Sequence, residues 1–173
     1  MITTLFETLR ALPKPVLLNV GDLLRLRGKG GTVALFACLM CTHPFAAELP
    51  TLKDWMSTNT NWSSRPSEQS YFFARCYALH TAFGTALLSA KKDSLARMIF
   101  DGSRDYGVVS HLLGGKAKMT EQFLSERDRA LSAAYAKKLA SNKQHTNDYI
   151  NDELQWEVDV CRHQMKQLTD AIK

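Results

Sequence analysis

The sequence has no run of about 18 consecutive apolar residues, the length that a membrane-spanning helix needs, so a multi-span membrane protein is excluded. It has only nine Gly and five Pro in 173 residues, too few for a collagen-like or low-complexity chain. It also lacks sustained alternation of polar and apolar residues, the pattern typical of a strand. Its 45% hydrophobic and 23% charged residues are the composition of an ordinary globular protein.

Recognisable catalytic and cofactor motifs are absent as well. Gly114-Gly-Lys116 lacks the rest of a phosphate-binding loop, and Ser89-Ala-Lys-Lys92 matches S-x-x-K by letters alone. The C-x-x-C-H motif of c-type haem proteins does not occur. We therefore assign no catalytic residue, no cofactor and no metal ligand from the sequence, and we favour a non-enzymatic protein.

The formal net charge of +5 does not indicate nucleic-acid binding. Residues 1–47 carry five basic and two acidic side chains, so more than half of the excess lies in this leader. In the rest of the chain, basic residues such as Arg127 and Lys137 alternate with acidic ones such as Glu126 and Asp128. Since no basic stripe results, we expect no nucleic-acid partner.

Residues 1–47 have the layout of a secretory signal peptide. A cationic stretch over residues 25–31 precedes an apolar run over residues 33–41, and Pro44 and small residues follow. We expect cleavage after Ala46 or Ala47 and a periplasmic or secreted protein. The apolar run is too short for a stable membrane span, so no span remains after cleavage.

Two features of the leader leave alternatives open. Phe45 or Pro44 occupies the third position before the cleaved bond, where signal peptidase prefers a small residue. The region ahead of the apolar run is also long, as a start codon assigned too far upstream would explain. The alternatives are two short helices of a cytosolic fold, or a lipoprotein attached through Cys38.

Residues 48–66 are rich in Ser, Thr, Asn and Pro, and we interpret them as a polar connecting arm with one helical turn near residues 52–56. Trp55 and Trp62 are unusual in so polar a segment. They are either anchors for a partner protein or aromatic caps that fold back onto the core.

From residue 67 onward, apolar residues recur at steps of three and four, which predicts amphipathic helices. Ser67 and Asn147 are the predicted N-caps of the first and last helix, and Gly114-Gly115 is the predicted end of the second. The helices lie at about residues 67–91, 93–113, 120–139 and 147–172. We therefore predict an all-α fold, an antiparallel four-helix bundle-like domain over residues 67–173.

Two of the four cysteines lie in the leader, before residue 48, and two lie in the predicted helical domain. Cys38 and Cys41 lie in the apolar run of the leader, whereas Cys76 and Cys161 lie on core stripes of the first and last bundle helix. In an up-down-up-down bundle these helices are neighbours and the two cysteines lie at similar depth, so we predict a structural disulfide. Two buried free thiols are the alternative. A zinc site with His80 and His163 is disfavoured, because Cys161 and His163 point to different sides of one helix.

These features favour a small exported helical protein that acts by binding another protein, as an inhibitor, a toxin-neutralising partner or an envelope assembly factor. This hypothesis predicts an exposed apolar or aromatic patch near Trp55 and Trp62, or on the turn after Gly114. One alternative is a bundle that binds a hydrophobic ligand or cofactor among Phe72, Phe83, Tyr106 and Met165. Another is an enzyme with a dispersed site that includes His80, His111 and carboxylates. The sequence does not identify the partner or the oligomeric state.

Overall fold

A computed structural model describes residues 49–171, and every regular element in that range is a helix. The all-α prediction is therefore confirmed. The elements are α1 (Leu52–Thr58), a short 3-10 helix (Trp62–Ser64), α2 (Pro66–Ser89), α3 (Asp93–Lys116), α4 (Glu121–Thr146) and α5 (Asp152–Asp170).

The four long helices alternate in direction, as their side-chain contacts show. The start of α2 meets the end of α3 through Ser70 and Ser110, and the end of α2 meets the start of α3 through Gly84 and Phe100. Helices α2 and α5 are also antiparallel, since Phe83 contacts Tyr149 just ahead of α5, and Cys76, earlier in α2, meets Cys161 further along α5. Helix α2 is the central element, because it packs against α3, α4 and α5.

The core consists of two clusters of buried apolar side chains along α2. One cluster includes Leu79 and Ala82 with Leu131, Tyr135 and Leu154 of α4 and α5. The other gathers buried residues from α1, α2, α3 and α5: Leu52, Phe72, Phe73, Cys76, Tyr106 and Cys161. Fully burying an aliphatic or aromatic side chain contributes about 1.5–3 kcal/mol, so these clusters hold the helices together.

The segment predicted as a polar arm packs onto the bundle. Leu52 is fully buried, and the indole of Trp62 stacks on the ring of Phe72 at 4.4 Å between centroids. Thr51 caps α1 by accepting a hydrogen bond from the Asp54 amide. The apolar residues of this polar arm thus take part in core packing, while most of its polar residues stay exposed.

Helix α3 continues past the predicted glycine stop to Lys116. The hydrogen atom of Gly114 faces the side chain of Leu124, where a Cβ atom would lie only 2.6 Å from Cδ2. The left-handed residue that ends the helix is Lys118, with φ 60°, and the Met119 amide donates to the carbonyl of Gly114. Gly114 therefore serves close packing between α3 and α4, not chain reversal.

Helix α4 ends seven residues beyond its predicted end, and Asn147 ends it instead of beginning α5. Asn147 adopts φ 59°, and its amide donates to the carbonyl of Lys143. Asn151 is the N-cap of α5 and accepts from the Leu154 amide at 3.0 Å. Asn tolerates the left-handed conformation and also caps helix N-termini. Residue type alone therefore did not show whether Asn147 ends α4 or begins α5.

Cys76 of α2 and Cys161 of α5 form the predicted pair. Their sulfur atoms lie 2.08 Å apart, a disulfide distance, and their Cα atoms lie 5.6 Å apart. Both residues are buried. The pair joins the first and last helix of the bundle across 85 residues of chain.

The predicted signal peptide, including Cys38 and Cys41, lies outside the described residues. Within residues 49–171, no helix combines the length and the apolar character that crossing a membrane would require.

Candidate functional site

An open cleft lies where α1, the start of α2 and the start of α4 meet. It has a volume of about 240 Å³, and its lining includes the side chains of Trp55, Tyr71, Met119 and Phe123. Phe123 is aromatic but 46% exposed. Ser67, Glu68 and Arg127 complete the lining. We call this feature the aromatic cleft.

The two tryptophans take different positions beside the aromatic cleft. Trp55 lines it directly and lies 5.1 Å from the ring of Tyr71. Trp62 stacks on Phe72 and lines a smaller neighbouring depression of about 130 Å³, which shares Glu68 with the cleft. Both indoles are half-buried. The arm and the turn after Gly114, which the sequence offered as alternative patches, thus contribute to one surface.

A buried polar network under the cleft is centred on Arg127. Its guanidinium donates to the hydroxyls of Ser70 and Ser110 at 2.8 and 2.7 Å, and to Asp128 Oδ1. Each serine hydroxyl in turn donates to the backbone carbonyl of the other serine. Because these bonds join α2, α3 and α4, the floor of the cleft is rigid.

The Asp128 carboxylate extends this network to His111. Asp128 Oδ2 lies 2.8 Å from His111 Nε2, and Glu121 Oε1 lies 3.2 Å from His111 Nδ1. Each carboxylate contacts a different ring nitrogen, so together they orient the imidazole at the surface between α3 and α4.

A second buried network fastens the arm to the bundle. Arg75 and Glu157 are both fully buried and form an ion pair at 3.5 Å. Arg75 donates to the hydroxyl of Tyr135, which donates to Glu157 Oε2 at 2.5 Å. Arg75 also donates to the carbonyl of Pro50, and Glu157 Oε1 accepts from the Leu52 amide. The arm is therefore bound through its backbone by two charged core residues.

Burial shifts the pKa of several groups in this core. Burial raises the pKa of Tyr135 well above 10, although the charge of Arg75 opposes the shift. Tyr135 therefore keeps the proton that it donates to Glu157. Burial lowers the pKa of His80 below 6.5, although a hydrogen bond between its Nδ1 and the Cys76 carbonyl acts to raise that pKa. His80 is thus a neutral, half-buried ring beside Tyr106.

Of the residues considered for a dispersed enzyme site, His111 meets two carboxylates, but the structure gives no contact between His80 and His111. His80 contacts Tyr106 and the Cys76 carbonyl, whereas His111 contacts Asp128 and Glu121. The hydroxyls of Ser70 and Ser110 donate to carbonyls and accept from Arg127, so neither is paired with an imidazole base. Ser141 Oγ lies 3.5 Å from His145 Nδ1 at the exposed end of α4, which is longer than the about 2.6–3.2 Å typical of a nucleophile–base pair.

The residues considered for a ligand pocket are part of the core packing. Phe72 and Tyr106 are buried in one cluster with Met165 at its edge, and Phe83 packs against the other cluster. None of the four lines either of the two depressions described above.

Two residues of the aromatic cleft, Met119 and Phe123, were not singled out from the sequence as partner contacts. Met119 precedes the N-cap Thr120, and Phe123 lies in the first turn of α4. Because Met119 lies outside the helix, no helical period relates the two residues in the sequence.

The described chain is thus an all-α bundle with Cys76 and Cys161 at disulfide distance and an open aromatic cleft above a buried polar network. Comparison with protein-family models, with curated proteins and with solved structures finds no match.

Proposed function

We propose that this chain is a small exported helical protein that works by binding another protein at the aromatic cleft. The single observation that carries the binding step is the cleft itself, where Trp55, Tyr71, Met119 and Phe123 line one open surface. Aromatic side chains and Met are enriched at the centres of protein interfaces, where they supply most of the binding energy.

The shape of the cleft favours a protein partner over a small ligand. Ligand pockets usually enclose about 300–1,000 Å³ and bury most of the ligand. The aromatic cleft is smaller, at about 240 Å³, and open to solvent. It fits one or two apolar side chains of a partner. The rigid Arg127 floor supports this role, because a preorganised surface loses little entropy on binding.

Export is supported by the leader layout and by the cysteine pair. A cationic stretch, an apolar run over residues 33–41 and small residues before residue 48 are typical of a signal peptide. A disulfide between Cys76 and Cys161 suits an oxidising compartment such as the periplasm. An inhibitor, a toxin-neutralising partner or an envelope assembly factor would all have these features.

Export is tested by the intact mass of the protein from a native-like host, separated into periplasmic and cytoplasmic fractions. We expect a periplasmic chain that begins near residue 47 or 48, with two thiols that alkylate only after reduction. A full-length cytoplasmic chain with free thiols would contradict export.

Partner binding is tested with a photo-crosslinking phenylalanine analogue at position 123, and with the same analogue at position 156 as a control. Trp156 is a matched site because it is aromatic and 38% exposed, but it lies on α5 outside the lining of the cleft. We expect one defined protein adduct from position 123 in living cells, and its loss when Trp55→Ala is added. The absence of an adduct at position 123, or the same adducts from both positions, would overturn the proposal.

A further inference from the structure

Exposed apolar side chains concentrate at the turn between α2 and α3. Five large hydrophobic residues are exposed in the described chain, and three of them lie within residues 88–98. Leu88 is 45% exposed, Leu95 is 41% exposed and Met98 is 67% exposed. Leu95 and Met98 are three residues apart, so they share one face of α3. We call residues 88–98 the hairpin tip.

Helix α2 continues to the hairpin tip past its contact with the turn between α4 and α5. Phe83 of α2 contacts Tyr149 in that turn. From Phe83 the helix runs six more residues to Ser89, which corresponds to about 9 Å at 1.5 Å per residue. Residues 88–95, 97 and 98 of the tip are exposed, so the tip is accessible to a partner.

The hairpin tip also carries positive charges without counter-ions. Lys91, Lys92 and Arg97 lie in it, with Asp93 as its one acidic residue, so residues 88–98 have a net charge of +2. None of the three cations forms an ion pair with a described residue. A partner that covers the exposed aliphatic groups and neutralises these cations must be anionic.

We propose that the hairpin tip docks on the surface of an anionic lipid bilayer. Leu95 and Met98 enter the headgroup region, and Lys91, Lys92 and Arg97 contact lipid phosphates. Aliphatic side chains flanked by lysine and arginine are typical of segments that lie in a membrane interface, where each cation contributes about 1 kcal/mol.

Lipid fits the tip better than a second protein surface does. Lysine is depleted at protein interfaces and aromatic residues are enriched there. The tip exposes two lysines and no aromatic residue, the opposite of the aromatic cleft. Docking rests on residues 88–98 alone, so it stands independently of the proposed partner site.

Vesicle flotation tests the proposal with protein isolated from its host and two lipid compositions, phosphatidylcholine alone and phosphatidylcholine with phosphatidylglycerol. We expect binding to the anionic vesicles that weakens as salt is raised. The double variant Lys92→Gln/Arg97→Gln removes two cations and should lower the partition coefficient about 25-fold, five-fold per cation. Leu95→Ser/Met98→Ser should lower it at least ten-fold.

Two matched variants control for charge and for apolar area elsewhere. Arg129→Gln/Lys137→Gln removes two exposed cations of α4, and Trp156→Ser removes an exposed aromatic residue of α5. We expect both controls to bind anionic vesicles within two-fold of the unaltered protein. All altered side chains are exposed, and an unchanged melting temperature shows that each variant is folded.

The lipid assignment is overturned if the unaltered protein does not float with anionic vesicles, or if tip and control variants lose binding equally. It is also overturned if the tip variants float normally while a photo-crosslinker at position 98 captures a protein. That result would assign the tip to a protein partner. Because flotation uses only purified protein and lipid, its outcome does not depend on the crosslinking result at position 123.

Discussion

Glu157 links the arm to the buried polar network of the bundle. Its carboxylate accepts from Tyr135 and from the Leu52 amide, and it balances the charge of Arg75. We expect Glu157→Ala to lower the free energy of unfolding by about 3–5 kcal/mol, because it leaves the guanidinium buried without a counter-ion. Urea unfolding measures this loss.

Glu153→Ala is the matched control for Glu157→Ala. Glu153 lies one turn earlier on α5 and pairs with Lys138 at the surface. An exposed pair contributes less than about 1 kcal/mol, so this variant should remain close to the unaltered protein. Equal losses for the two variants would contradict the role assigned to the buried network.

His80 makes the stability of the fold dependent on pH. Burial lowers its pKa in the folded state below 6.5, so the unfolded chain takes up the proton more readily. The stability that neutral His80 contributes to the fold is fully present above pH 6.5. It is lost as the pH falls through and below that value. We expect the free energy of unfolding to decrease from pH 7 to pH 5, and His80→Gln to reduce this slope. An identical slope in the variant would show that other groups cause the dependence.

At the scale of a helix, two glycines of α3 differ in the space around them, so replacing each with alanine tests either overpacking or helix propensity. A Cβ at Gly114 would lie 2.6 Å from Leu124, which is itself buried, whereas a Cβ at Gly102 has no neighbour within 4 Å. We expect Gly114→Ala to destabilise the fold by about 1–3 kcal/mol through overpacking. Gly102→Ala should stabilise it by up to about 1 kcal/mol through helix propensity. Thermal unfolding of the pair checks both signs, and a stabilising Gly114→Ala would contradict close packing of α3 against α4.

The helices themselves were predictable because their apolar stripes recur with the period of an α-helix. The ends of the helices were less predictable from the sequence. Gly114 looked like a stop but is required by Leu124, and the left-handed positions that end α2 and α3 are occupied by Lys91 and Lys118. Lysine is uncommon in this conformation, so residue type did not mark these turns.

For the whole molecule, the Cys76–Cys161 pair limits how far the chain can expand when it unfolds. It closes a segment of 85 residues, which in the chain-entropy model corresponds to about 4.5 kcal/mol. We expect Cys76→Ala/Cys161→Ala to lose about this amount. Reduced wild-type protein should unfold at nearly the same denaturant concentration as the variant. The result is contradicted if reductant leaves the wild type unchanged or shifts the variant.

The cysteine pair could be predicted from the sequence because helix order and depth bring both residues to one place. The aromatic cleft could be predicted only in pieces. Trp55 and Phe123 are 68 positions apart, and they meet because α1 folds back over α2. Arg75 donates a hydrogen bond to the Pro50 carbonyl and Glu157 accepts one from the Leu52 amide, and these bonds hold the arm in that position. Neither bond has a periodic signature in the sequence.

Arg75 and Glu157 hold the arm by its main chain, through the Pro50 carbonyl and the Leu52 amide. This has an evolutionary consequence, because main-chain groups persist when side chains are replaced. Residues 53, 54, 57 and 58 of the arm are exposed and can diverge while the arm stays attached. In distant relatives we expect Arg75, Tyr135 and Glu157 to be retained or exchanged together, so these three positions are a more durable mark of descent than the arm sequence.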